Sequence, residues 1–200
     1  MSIVVAEISM SLDGFVTGPD PDLEHGLGRD GEALHRWALT SDDPVDQDVL
    51  RAAMARTGAV VMGRRLFDVV DGPNGWDDAS GFGAGRAAEP AFVVVTHRPP
   101  AEHRLALDLT FVTGGVAEGI ARAREAAGTR DVMVMGGADV VRQAVDGGLA
   151  DELVIHLAPV LLGGGTPLFP AAEHRRLTQK SVRVSRTATH LTYDLAPSGA

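Results

Sequence analysis

Apolar positions along this chain gather in short, dense runs. "IVVAEI" (3–8), "GAVVMG" (58–63), "AFVVVT" (91–96), "LTFVTG" (109–114), "DVMVMGG" (131–137) and "DELVIHLAPVLL" (151–162) are mostly bounded by glycine, proline or polar residues. They predict β-strands. Several are apolar almost throughout, as strands covered on both faces are. Between them the period changes. In "VAEGIARAREAAG", Val116, Ile120, Ala123 and Ala127 share one helical face and Gly128 supplies a stop; in "ADVVRQAVDGG", Val141, Ala144, Val145 and Leu149 do the same. Alternation returns in "SVRVSRTATHLTYDL" (181–195), which predicts an antiparallel pair closing the sheet. The expected fold is a three-layer α/β domain, its central sheet mixed but mostly parallel, with antiparallel carboxyl-terminal strands.

Two segments carry no such pattern. Residues 17–30 and 71–90 are rich in Gly, Pro and Asp and predict loops, long enough to border a site. One domain over residues 1–196 with a short tail at 197–200 accounts for the 200 residues, enough for a real core. The opening "MSIVVAEISM" predicts a buried first strand: its apolar stretch is too short for a membrane span, and it lacks the basic region of a secretion signal.

Composition narrows the chemistry. The absence of cysteine excludes disulfides, thiolate zinc sites and a catalytic thiol, and fits a reducing cytoplasm. A formal charge of -9, with Lys180 the only lysine, argues against a nucleic-acid binder. Any anion site must therefore be local. Seven histidines are scattered without a two-ligand helical spacing, so no metal site is predicted. Trp37 and Trp76 either border a cleft or fill core gaps.

Three strand ends stand out: "VVMGRR", "VVVTHRP" and "VMVMGGADVV". In open α/β sheets, ligands gather outside the carboxyl ends of the strands. Gly136-Gly137 reads either as a plain strand-to-helix turn or as a place where amides approach a pyrophosphate. Arg64 and Arg65 after Gly63, and Thr96, His97 and Arg98 before two prolines, either grip phosphate oxygens or pair with surface carboxylates. Together they suit a nucleotide with an extra phosphate, NADPH over NADH.

These pieces, with "SLDGFVTG" after the first strand and "HLAPVLLGGGTPLFP" near the end, occur in the order found in the dihydrofolate reductase-like fold family. The chain resembles in particular the branch containing the riboflavin-biosynthesis reductase (RibD C-terminal) domain. The resemblance implies an NADPH-dependent reductase of a small heterocyclic or carbonyl-like substrate, pterin or ribosylaminopyrimidine in type. It implies that "ISMSLDGFVTG" is the first strand and the loop over the nicotinamide, with Ser9 and Val16 at the carboxamide. It also places Gly63, Arg64, Arg65, Thr96, His97 and Arg98 at the adenosine phosphates, and Gly136, Gly137, Ala138 and Val140 at the pyrophosphate. Thr166 falls at a substrate-pocket threonine, and Asp42, five residues after Trp37, at the spacing of the carboxylate that assists protonation.

The chain departs from the family in two respects: the sequence around Asp42 is altered and carries an insertion, and one glutamate is replaced. Riboflavin-pathway reductases carry a glutamate just before the paired small residues, where this sequence has Met135. The alternative expectation is a catalytically inactive NADPH-binding sensor of the same fold. A homodimer is expected, because the closing strand pair and "LAPVLL" offer more apolar surface than a sheet edge should leave bare.

Overall fold

The six apolar runs and the closing alternation build one eight-stranded sheet in a computed structural model that describes residues 2–77, 80–84, 89–171 and 174–195. Its strands are β1 (Val4–Ser11), β2 (Thr57–Gly63), β3 (Ala91–Val95), β4 (Leu109–Val112), β5 (Asp131–Gly136), β6 (Glu152–Ala158), β7 (Thr178–Val184) and β8 (Thr189–Asp194). They lie in the order β4-β3-β2-β5-β1-β6-β8-β7. The first six positions in that order are parallel, and β8 runs antiparallel to both β6 and β7. The first strand is thus central, which explains why its run is apolar on both faces near its start. The run at 151–162 stops being strand at Ala158, just before Pro159, which has no N–H for a ladder.

Helices cover both faces. α4 (Val116–Ala127) and α5 (Ala138–Asp146) bury Val116, Ile120, Val141 and Val145 against Val4, Ala6, Val61 and Val134. On the opposite face α3 (Arg64–Val70) packs Phe67 and Val70 with Val60, Met62, Phe92 and Met133. That face continues toward β6 and β8 under a 3-10 turn (Gly31–His35), α1 (Arg36–Leu39) and α2 (Pro44–Arg56). Periodicity does not announce α2, because only Asp46 and Ala53 of its residues are buried. Its start is nonetheless well built: the Asp43 carboxylate accepts a hydrogen bond from the Val45 amide at 3.0 Å, and Pro44 opens the first turn.

Both loop segments are as expected where described, and Trp76 in the second packs edge-on to Phe92 with ring centres 5.9 Å apart. The tail at 197–200 lies outside the described residues. Among the described residues no helix is long and apolar enough to cross a membrane, and no group of histidine and carboxylate side chains has the arrangement of a metal site.

Candidate active site

Strand order decides which residues meet. Because β3, β2, β5 and β1 are adjacent and parallel, their carboxyl ends form a row: Thr96 to Arg98, then Gly63 to Arg65, then Gly136-Gly137, then Ser9 to Ser11. From β3 to β1 is three strand spacings, about 14 Å. Residues 31 to 128 positions apart in sequence are thereby brought into one line.

The helices that leave this row start without side-chain caps. Gly63 precedes α3 and Gly137 precedes α5, each with no capping hydrogen bond, in contrast to the capped α2. The leading amides of an α-helix have no partner within it, so α5 offers N–H donors and the positive end of its dipole to the row. A Cβ on Gly137 would meet nothing within 4 Å, which leaves open space above this turn; the peptide joining it to Gly136 is cis. A Cβ on Gly63 would instead lie 2.9 Å from Val140, so Gly63 is required by packing. Ala138 and Val140 are buried in the core.

The three arginines separate. Arg64 donates to Asp68 at 2.6 Å and to the Arg98 carbonyl at 2.6 Å, strapping α3 to the turn after β3. Arg65 is exposed and donates to the Pro21 carbonyl at 2.6 Å. The Arg98 guanidinium is exposed and has no partner among the described residues, and His97 beside it is exposed too. Thr96 is buried, its hydroxyl donating to the Arg98 carbonyl at 2.9 Å and so shaping the turn.

The loop after β1 is fastened to the loop after β6. Val16 donates its amide to the Thr166 carbonyl at 2.9 Å, Leu168 donates to Gly14 at 2.9 Å, and the Thr17 and Thr166 hydroxyls meet at 3.0 Å. Asp13 accepts amides from Leu162 and Gly163. The Ser11 hydroxyl and then these amides hold its carboxyl below the usual range. Thr166 therefore braces two loops, and the amide of Val16 is already engaged.

Asp42 does not join the row. Its side chain is 91% exposed and pairs with Arg186 at 2.7 Å. One turn further on, Asp46 is the carboxylate of α2 that turns to the sheet, fully buried. Burial raises its affinity for a proton, but hydrogen bonds from Ser185, Ser41, Thr187 and His190 outweigh this and hold it at about 2.

Asp46 ends a buried line of side chains that sequence reasoning missed. Its Oδ1 lies 2.8 Å from His190 Nε2, His190 Nδ1 lies 2.7 Å from His156 Nδ1, and His156 Nε2 lies 3.1 Å from Glu7 Oε1. Trp37 stacks on His156 with ring centres 3.9 Å apart and donates from Nε1 to the Ser9 hydroxyl at 2.9 Å. Trp37 is thus a core filler. Glu7 pairs with Val154 in the β1–β6 ladder, and its carboxylate turns toward β6 to meet His156. The detectable signal was polarity where none belongs: Glu7 and His156 interrupt otherwise apolar strands.

A parallel sheet whose strand ends form such a row, closed by an antiparallel pair and covered by the loop after its first strand, defines a reductase-like α/β domain of the dihydrofolate reductase type. Residues 2–191 match the RibD C-terminal domain family, and the chain belongs to that family. It is similar to the putative riboflavin biosynthesis protein of Shewanella sp. PV-4, at 23% identity and a TM-score of 0.65, over 96% of this chain and 98% of that one. A pyrimidine reductase-like protein of Corynebacterium diphtheriae has 16% identity and a TM-score of 0.63, over 96% and 91%. The deaminase/reductase of Thermotoga maritima matches at 14% identity and a TM-score of 0.62; this chain covers 56% of that protein's length. Among curated sequences, the uncharacterized protein YyaP of Bacillus subtilis (strain 168) is 21% identical over 178 residues, 86% of this chain and 82% of that one.

Proposed function

We propose that the protein is an NADPH-dependent reductase of a small heterocyclic or carbonyl-like substrate. The observation that carries this reading is the row of strand ends, with an uncapped glycine-led helix at its middle and exposed Arg65 and Arg98 at one side. NADPH would lie along the row, its adenosine phosphates at Arg65 and Arg98, its pyrophosphate at Gly137 and its nicotinamide near Ser9. The cofactor supplies hydride when bound. The chain's own residues orient it and exclude water: the braced loop from Ser11 to Gly18 covers the site, and buried Ser9, held by Trp37, forms part of its floor. The substrate would enter beside Glu7 and Trp37.

Arg98 sets cofactor choice in this reading. By calorimetry NADPH should bind more tightly than NADH, and Arg98→Ala should shrink the gap by about 1.5 to 3 kcal/mol, the usual worth of a charged hydrogen bond. Equal affinities of the wild-type protein for the two nucleotides would remove the assignment.

A second reading, NADPH binding without turnover, is favoured by the exposed Asp42 and the engaged Thr166 hydroxyl. Stopped-flow oxidation of bound NADPH against pterins, ribosylaminopyrimidines and small carbonyls separates the two. The reading also includes a cytoplasmic homodimer. β7 is an edge strand with Val182 and Val184 exposed, and light scattering at micromolar concentration should give twice the mass of one chain. A monomer mass would remove the dimer and leave the cofactor site standing.

A further inference from the structure

The line Glu7, His156, His190, Asp46 contains three hydrogen bonds, and each needs one proton between its two heavy atoms. Two neutral imidazoles bring only two. With both carboxylates ionised and both rings neutral, one contact would set lone pair against lone pair. The geometry therefore requires a third proton, bound in excess of the ordinary complement of these four groups.

Where that proton resides follows from the surroundings. Asp46 is already supplied with hydroxyl donors from Ser41 and Thr187, which favour the carboxylate, so His190 donates to it from Nε2. Burial disfavours a second proton on His190, and Arg183 on β7 and the neighbouring His156 act in the same direction. Neutral His190 then accepts at Nδ1, which forces His156 to donate from its own Nδ1. The His156 Nε2 contact with Glu7 is left to hold the extra proton, as carboxylic acid and imidazole or as carboxylate and imidazolium. The other titratable group facing His156 is His35 of the 3-10 turn, buried and with no hydrogen-bond partner for its Nδ1 among the described residues. A neutral His35 does not compete for the proton.

We propose that Glu7 and His156 store one proton at the floor of the cleft and deliver it to the substrate, with His190 and Asp46 as positioning residues that fix the tautomer of His156. The delivery role rests on the reductase reading; the proton count does not. Glu7 sits at the outlet: its side chain is one-tenth exposed whereas those of His156, His190 and Asp46 are almost wholly buried, and it lies on the same strand face as Ser9, two residues away. In the balanced step, the carbon of a C=N or C=O bond would receive the hydride that bound NADPH supplies, leaving that cofactor oxidised. The heteroatom takes the stored proton from Glu7, whose carboxylate is recharged from water when product leaves.

Glu7→Gln tests this with little change of shape, because the amide N–H2 of glutamine can donate to His156 Nε2 without any extra proton. Potentiometric titration of the ligand-free proteins should show the wild type carrying one more proton than Glu7→Gln at pH 7. Ring-15N spectra of the wild type should show His190 protonated at Nε2 and His156 protonated at Nδ1. Equal proton counts, or two neutral rings both protonated at Nε2 beside an ionised Glu7, would overturn the store. With whichever acceptor of the panel the wild type reduces, Glu7→Gln should slow hydride transfer by about 100-fold or more and flatten its pH profile while NADPH affinity is kept. An unchanged rate would overturn the delivery. Failure of the wild type to bind NADPH at all would instead count against the reductase reading, and the proton count would still stand or fall by titration.

Discussion

Gly137→Val is expected to abolish NADPH binding in a protein that still folds. The site above Gly137 is empty of protein atoms to 4 Å, and its φ of -68° lies in a region open to any residue. The Cβ of a valine there would meet no heavy atom within 4 Å beyond its own chain neighbours. It would fill the space over the first amides of α5, where the proposed pyrophosphate sits. Losing two charge-assisted hydrogen bonds at about 1.5 kcal/mol or more apiece corresponds to at least about a 100-fold loss of affinity. Calorimetry with NADPH, alongside circular dichroism and thermal unfolding, reads both halves of the prediction. Affinity retained in a folded variant would reduce the paired glycines to a plain turn.

Acid is expected to destabilise the protein steeply between pH 6.5 and 4, and the largest identified contribution comes from His35. Burial first, and His156 second, push its imidazole down from 6.5 to about 4. The folded state thus binds fewer protons than the unfolded chain in this window, so the associated stability is present above pH 6.5 and is lost as pH falls toward 4. Between pH 7 and 4.5 that amounts to roughly 2 kcal/mol from one residue. His190, lowered mainly by burial, acts with the same sign. Asp46, held at about 2, extends the loss below pH 4 as its carboxylate is protonated. Urea unfolding at both pH values measures the slope, and His35→Phe should flatten it. A wild-type protein equally stable at pH 7 and 4.5 would contradict the burial of a neutral imidazole.

The sheet could be read from the sequence because its strands are covered on both faces, which leaves unbroken apolar runs, and because α4 and α5 keep one apolar stripe each. The strand ends were legible for a related reason: glycines close these runs, and Gly63 and Gly136 are the last residues of β2 and β5. Side chains were less legible. Arg64 looked like an anion holder, although Asp68 one helical turn along the same face was in view and claims it. Asp42 lies before α2 and Asp46 in its first turn, and only the contact of Asp46 with His190 of β8 shows which one faces the sheet. The Glu7–His156–His190–Asp46 line was hidden because its contacts span 149, 34 and 144 residues, and no local spacing encodes them. Its trace in the sequence was a glutamate and a histidine set within mostly apolar strands.

A crystal structure of the protein grown with NADPH tests the central claim most directly. The account predicts density along the row of strand ends, with the adenosine phosphates at Arg65 and Arg98, the pyrophosphate over Gly137 and the nicotinamide beside Ser9 within reach of Glu7. NADPH bound elsewhere on the molecule, or no bound nucleotide at saturating concentration, would contradict it.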